Sequence, residues 1–196
     1  MRGLIPLLLL VATLFQQALA EGLIPTVDGE IFAKTSVAKP ANGDRLFEFI
    51  RDEESFDKWT KLVAYRYQRL PGLRNDPIEY AFAMERAVKQ QNPAAPVKVS
   101  KNEGSYGAIL DFLTWPKDQS YMELNVFRFG KSKDGAAVVS VQLASKFVPP
   151  KPTFSQDSAN EYERQVKVMR DRRTSWIKHV MEADLQLIEA ELLKER

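Results

Sequence analysis

Between residues 97 and 147 the chain sets strand-like segments so close together that little choice of topology remains. Residues 106–115, 121–129 and 137–147 are apolar or alternating, and 97–101 is a shorter segment of the same kind. Gly104-Ser105, Pro116-Lys117-Asp118 and residues 130–135 separate them at hairpin lengths. Loops this short join antiparallel neighbours, because a parallel pair needs a crossover of a dozen residues or more. Along the last segment Ala137, Val139, Val141, Leu143 and Phe147 share one face.

The flanking sequence supplies further strands and two helices. Residues 46–50 read as a strand, Asp52-Glu53-Glu54-Ser55 as a turn, and 59–68 as an alternating strand. In that strand Trp59, Lys61, Val63, Tyr65 and Tyr67 face one way, and Leu62, Ala64 and Arg66 the other. Asp76 followed by Pro77 opens a helix with the apolar stripe Ile78, Ala81, Phe82 and Val88, and Asn92-Pro93 stops it. Ser158 and Glu161 fit a capping box for a long helix over about 158–194. Tyr162, Val166, Met169, Trp176, Val180, Ala183 and Leu187 form its stripe, with Arg173 the one polar interruption. The part beyond Ala183 is expected to project past the sheet.

The predicted fold class is therefore α+β: an antiparallel sheet of about five strands, one helix inserted after the second strand, and a long C-terminal helix packed on the sheet. Residues 21–44, broken by Pro25, Gly29, Pro40 and Gly43, read as an N-terminal tether, and 45–196 as a single domain. The order of elements from residue 46 to about 182 resembles small exported α+β proteins of the PsbP and DcrB type. The resemblance implies a non-catalytic accessory or binding role in the envelope and carries over no functional residue.

The N-terminus bears on compartment. Met1-Arg2-Gly3, an uncharged apolar run over 4–15, and Ala18-Leu19-Ala20 have the three parts of a secretory signal peptide. Cleavage is expected after Ala20, giving a periplasmic or secreted protein. The run is shorter than the roughly 20 residues that span a bilayer, so no transmembrane segment is expected after cleavage. The chain has 0 Cys, which rules out disulfides and a lipidated cysteine and leaves the core to hold the fold. An exported domain without disulfides fits a bacterial envelope better than an animal extracellular space. Lys and Arg number 28 against 26 Asp and Glu, a balance that argues against a nucleic-acid partner.

Few residues point to chemistry. His179 is the only histidine and there is no thiolate, so zinc has no ligand set; no metal and no cofactor are expected. Ser175, His179 and Glu182 share a helix face and read either as nucleophile, base and orienter or as a solvated face beside Lys178. Arg66, Asp111, Glu123 and Asn125 each stand among apolar strand neighbours. If they converge, a carboxylate pair with an arginine makes an acid–base or ligand site; otherwise they are cross-strand pairs worth a few tenths of a kcal/mol. Trp59, Trp115, Tyr65, Tyr67, Tyr121, Phe127 and Phe129 fill a core or line a groove. Lys167, Arg170, Arg172, Arg173 and Lys178, interleaved with Glu161, Glu163, Asp171 and Glu182, make a salt-bridged face or a surface for an anionic lipid or acidic partner. The function expected is an exported, non-catalytic binding or accessory domain, its partner an envelope protein or a small apolar ligand. The alternatives are a carboxylate-based hydrolase around Arg66, Asp111 and Glu123, or an interaction protein acting through its C-terminal helix.

Overall fold

The downstream segments fold as the meander their spacing predicts. In the computed structural model, which describes residues 23–102, 106–149 and 156–194, the strands are β1 (Thr26–Val27), β2 (Glu30–Ile31), β3 (Lys34–Ala38), β4 (Arg45–Ile50), β5 (Lys61–Gln68), β6 (Val97–Asn102), β7 (Gly107–Thr114), β8 (Met122–Lys131) and β9 (Val138–Phe147). The helices are α1 (Pro77–Gln91), α2 (Gln156–Glu182) and α3 (Leu185–Leu193). Seven strands form one antiparallel sheet in the order β3-β4-β5-β9-β8-β7-β6, and β1 and β2 form a separate hairpin.

The sheet thus has more strands than the expected five, and the supposed tether supplies three of the elements. β3 pairs on one side only, Thr35 opposite Phe49 and Val37 opposite Phe47, and a half-buried edge strand needs no strong apolar alternation. Asp28 and Gly29 join β1 to β2 with φ of 52° and 80°. Two consecutive positive φ values are the type I′ geometry that matches strand twist, and Asp-Gly is a pair that adopts it readily.

Helices cover both faces. On one, Ala108, Leu110, Phe112, Phe127 and Phe129 pack against Ala81 of α1, with Ile78, Tyr80, Met84 and Val88 around it. Asp76 caps α1 as predicted, its carboxylate accepting from Ile78 N (2.8 Å) and Glu79 N (3.1 Å). On the other face Phe47, Val63, Tyr65, Val126, Val141 and Leu143 meet Trp176, Val180, Ile188 and Leu192. α1 lies over β6, β7 and β8. Phe56 and Trp59, from the β4–β5 loop, pack instead on Ile50, Leu62, Ala64 and Ala144. β5 begins only at Lys61, so Trp59 escapes the alternation and joins the face opposite Tyr65.

The C-terminal helix departs most from expectation. α2 begins at Gln156, so Ser158 lies inside it and not at its cap. In place of one helix to about 194 there are two, and both ends of the break are capped. Arg128 Nη1 donates to the carbonyls of Val180 (3.2 Å), Met181 (2.7 Å) and Ala183 (2.7 Å), satisfying groups that a helix end leaves unpaired. Asp184 then accepts from Gln186 N (2.9 Å) and Leu187 N (3.0 Å) to start α3. α3 turns back onto the sheet and buries Ile188 and Leu192. Its Leu185 sits over Gly130, where a β-carbon would come within 2.6 Å of Leu185 Cδ1 and the leucine side chain would have to shift. The segment expected to project is packed, whereas Tyr162 and Val166, expected in the stripe, are 59% and 38% exposed.

Candidate functional site

Strand register decides which of the predicted residues meet. Arg66 lies opposite Ser140, and Ser140 opposite Phe129. These residues, with Phe127, Asn125 and Glu123 at two-residue steps along β8, share the α1 face. Asp111 lies opposite Val126 and so points to the α2/α3 face. There Arg173 grips it with Nε to Oδ1 at 2.6 Å and Nη2 to Oδ2 at 2.8 Å, a bidentate pair that ties α2 to β7 and raises the arginine's pKa. The predicted cluster is corrected accordingly: Arg66, Glu123 and Asn125 share a face, and Asp111 does not belong with them. A hydrolase needing Asp111 and Glu123 together has a sheet between its carboxylates.

On the α1 face the three remaining residues belong to a longer polar row. Asn125 Nδ2 donates to Glu123 Oε1 (3.0 Å), and Gln142 Nε2 donates to Asn125 Oδ1 (2.7 Å). A carboxylate only accepts, so Glu123 orients the Asn125 amide and, through it, the Gln142 amide. Lys146 closes the Glu123 end; its ammonium stands 3.5 Å from the Trp59 ring centre and 5.4 Å from that of Tyr121. Burial lowers the Lys146 pKa against the opposing charge of Glu123. At the other end the Arg66 guanidinium reaches from β5 to within 5.8 Å of the Phe127 ring centre on β8, and so crosses β9. Burial depresses the Arg66 pKa, with Glu48 and Tyr80 acting in the opposite sense. Arg66 Nη1, Ser140 Oγ and Gln142 Oε1 are buried without a hydrogen-bond partner.

The α2/α3 face carries a second cluster. Ser175 and His179 do share a helix face, yet they meet Asp28 of the hairpin turn. Glu182 stands apart, paired with Lys178 at 3.8 Å. Ser175 Oγ donates to Asp28 Oδ1 (2.6 Å), Trp176 Nε1 donates to Oδ2 (3.0 Å), and His179 Nε2 lies 3.2 Å from Oδ1. Burial would raise the Asp28 carboxyl pKa, but these hydrogen bonds and the His179 charge outweigh it and hold it below the ordinary value. Serine and histidine both converge on the carboxylate, so the relay of serine to histidine to acid is not formed. The cluster is a latch that fastens the hairpin to α2.

Beside the latch lies a cleft of about 170 Å³, walled chiefly by Val27, Val63, Tyr65, Val141, Leu143 and Val180, with His179 at its edge. Burial pushes the Tyr65 hydroxyl pKa up to about 12. Asp28 went unseen in the sequence because it lay in the supposed tether; the Asp28-Gly29 pair between Val27 and Glu30 was the signal that would have found it. Of the basic stretch of α2, Lys167 pairs along the helix with Asp171 at 2.8 Å and Lys178 with Glu182 at 3.8 Å, while Arg173 reaches Asp111 on the sheet. Arg172 instead turns inward to Ser145 Oγ (3.0 Å). Among the described residues no group of three or more His, Asp or Glu is placed to hold a metal, and no helix is long and apolar enough to cross a membrane.

With both clusters located, the comparison with known sequences can be placed on the fold. A family of sequences matches residues 26–185, from β1 to the first residue of α3. The chain belongs to that small, uncharacterised family. The family's span takes in the Asp28 latch, the polar row and the whole sheet, and leaves most of α3 outside. No curated protein and no solved structure matches the chain.

Proposed function

We propose that this family member is an exported, non-catalytic binding domain whose cleft beneath the β1–β2 hairpin takes a small apolar ligand. The cleft itself carries the reading. Its aliphatic walls come from β5, β9 and α2, and the latched hairpin forms its rim. An apolar cavity of about 150 Å³ holds a benzene ring, which sets the scale here at one ring or a short alkyl chain. Tyr65, Thr26 and His179 add polar groups to the lining. The hydroxyl of Ser175 is committed to Asp28, and mid-helix N–H groups are spent on the helix, so the groups that would serve a hydrolase are already occupied. The tripartite N-terminus supports export, and an exported domain without cysteine fits a bacterial envelope.

Two measurements test this. Toluene and 1-hexanol should raise the melting temperature of the mature chain, and Ala183→Leu, which adds bulk to the cleft lining, should abolish the rise. Equal binding by that variant, or none by wild type, rejects the cleft. Cell fractionation with N-terminal sequencing should find a chain beginning at Glu21 outside the cytoplasm; a cytoplasmic chain retaining Met1 rejects export.

A further inference from the structure

We propose that the first half of α2 is a self-association surface, which pairs antiparallel with the same segment of a second copy of this chain. The stripe of α2 is continuous: Tyr162, Val166, Met169, Arg173, Trp176 and Val180 follow one another at steps of four and three. Its later half is covered. Trp176 and Val180 are buried on the sheet and Arg173 is fixed to Asp111, whereas Tyr162 is 59% and Val166 38% exposed. A seam that packs on the sheet over residues 173–180 therefore runs on as an uncovered ridge with coiled-coil spacing.

The charges beside the ridge say what covers it. Elsewhere on α2 Glu161 is matched with Arg164, Lys167 with Asp171, Lys178 with Glu182, Arg173 with Asp111, and Arg172 with the Ser145 hydroxyl. Glu163 and Arg170 have no such match among the described residues, and both are exposed. Each stands one place after a ridge residue, Tyr162 or Met169, on the same flank of the helix. That is where a coiled coil carries the charges that choose its orientation. In an antiparallel pair these flanks face one another, so Glu163 of each copy meets Arg170 of the other, and Val166 packs on Met169. In a parallel pair Arg170 faces Gln165 and the charge match is lost. Both sheets, each lying on the stripe of its own helix, would also fall at the same end and collide; the antiparallel pair sets them at opposite ends. An anionic membrane surface fits this segment less well, because Glu161 and Glu163 lie along it.

The contact is short, so the complex belongs at the weak, reversible end of interface sizes. Sedimentation velocity of the mature chain should show monomer passing to dimer as its concentration rises towards about 1 mM. Glu163→Arg and Arg170→Glu should each weaken dimerisation by roughly tenfold, because each sets like charges opposite one another twice. The chain carrying both changes restores the match and should dimerise as wild type does. An equimolar mixture of the two single variants should also associate, one copy supplying a basic flank and the other an acidic one. Both positions are exposed, so the thermal melting of every variant should follow wild type, which separates lost association from lost folding. A chain that stays monomeric throughout, or a dimer indifferent to the single reversals, overturns the surface. Losses that neither the double variant nor the mixture repairs overturn the antiparallel pairing and leave the ridge to a different partner.

Discussion

The two faces of the central strands bury polar groups to different ends. On the α2/α3 face Asp111 is gripped by Arg173, Arg128 caps α2, Asp28 gathers three side chains, and Glu189 accepts from the Lys133 backbone. Each contact joins one element to another. On the α1 face the row from Glu123 to Gln142 runs across two adjacent strands and finishes in groups without partners. The groups that hold the helices are paired within the chain, whereas the row on the α1 face ends in atoms without a partner, as Arg45 Nε is on the other face. Substitutions at the paired contacts of the first face should therefore cost stability, and those at the unpaired end of the row should cost little.

The largest effect belongs to Trp176, which is 2% exposed and fastened to Asp28 through its indole N–H. Trp176→Ala should cost about 3–5 kcal/mol in urea unfolding. A variant as stable as wild type would show α2 to be loosely held and remove the contrast between the faces.

Asp111→Ala should come next. The pair lies between two regimes: exposed ion pairs are worth about 1 kcal/mol or less, and breaking a buried one costs about 3–5 kcal/mol. The Asp111 side chain is 9% exposed and that of Arg173 is 36%, so about 2 kcal/mol is expected. Denaturant midpoints of Asp111→Ala, Arg173→Ala and the double variant would check it. Additive losses, with no coupling between the two, would show that the pair does not anchor α2.

How far this was readable from the sequence differs by element. Periodicity and turn chemistry gave the meander and the ends of α1, because both are set by residues close in the chain. Asp111 and Arg173 were each visible as the polar exception in an apolar pattern. Two such exceptions ask for one another, yet the pairing crosses from β7 to α2 and only register reveals that they share a face. The break after α2 was hidden for a similar reason: its cap comes from Arg128, more than fifty residues earlier. The step of Ala183 to Leu187 continues the helical stripe on paper, but the break rotates the pattern so that Ile188 and Leu192 face the core and Leu187 is 52% exposed. Of the polar row on the α1 face, Arg66, Glu123 and Asn125 were legible as polar residues in strands; Ser140 and Gln142 were not singled out, because an alternating strand tolerates such residues without remark.

The Asp28 latch gives a smaller effect with a pH signature. A carboxyl held below its ordinary 3.8 in the fold contributes stability above that value and loses it as pH falls through the lower, folded value. The latch should thus release only below about pH 4, seen as loss of hydrogen-exchange protection at the Trp176 indole N–H and at Phe32, whose backbone N–H bonds to Pro25 O at 3.0 Å. Asp28→Asn should weaken the fold by about 1 kcal/mol or less, since the side chain is 38% exposed, and should remove this acid step. An unchanged acid profile in the variant would assign the step to other carboxylates.

Ser140→Ala should have the smallest effect on stability, and that is what makes it informative. A buried hydroxyl with a partner would be missed: removing it leaves the partner unsatisfied, at about 1–3 kcal/mol. Ser140 Oγ has no partner, so its removal relieves a desolvated polar atom and leaves the packing of β9 almost untouched. The expected change is between zero and a gain of about 1 kcal/mol in the free energy of urea unfolding. On the paired face the equivalent truncation, Ser175→Ala, takes a 2.6 Å hydrogen bond from Asp28 and should destabilise instead. Opposite signs for two serine-to-alanine changes in one domain would mark Ser175 as a hydroxyl the chain has paired and Ser140 as one it has not. The same sign for both would mean that Ser140 is satisfied within the fold, and that the polar row serves stability as the other face does.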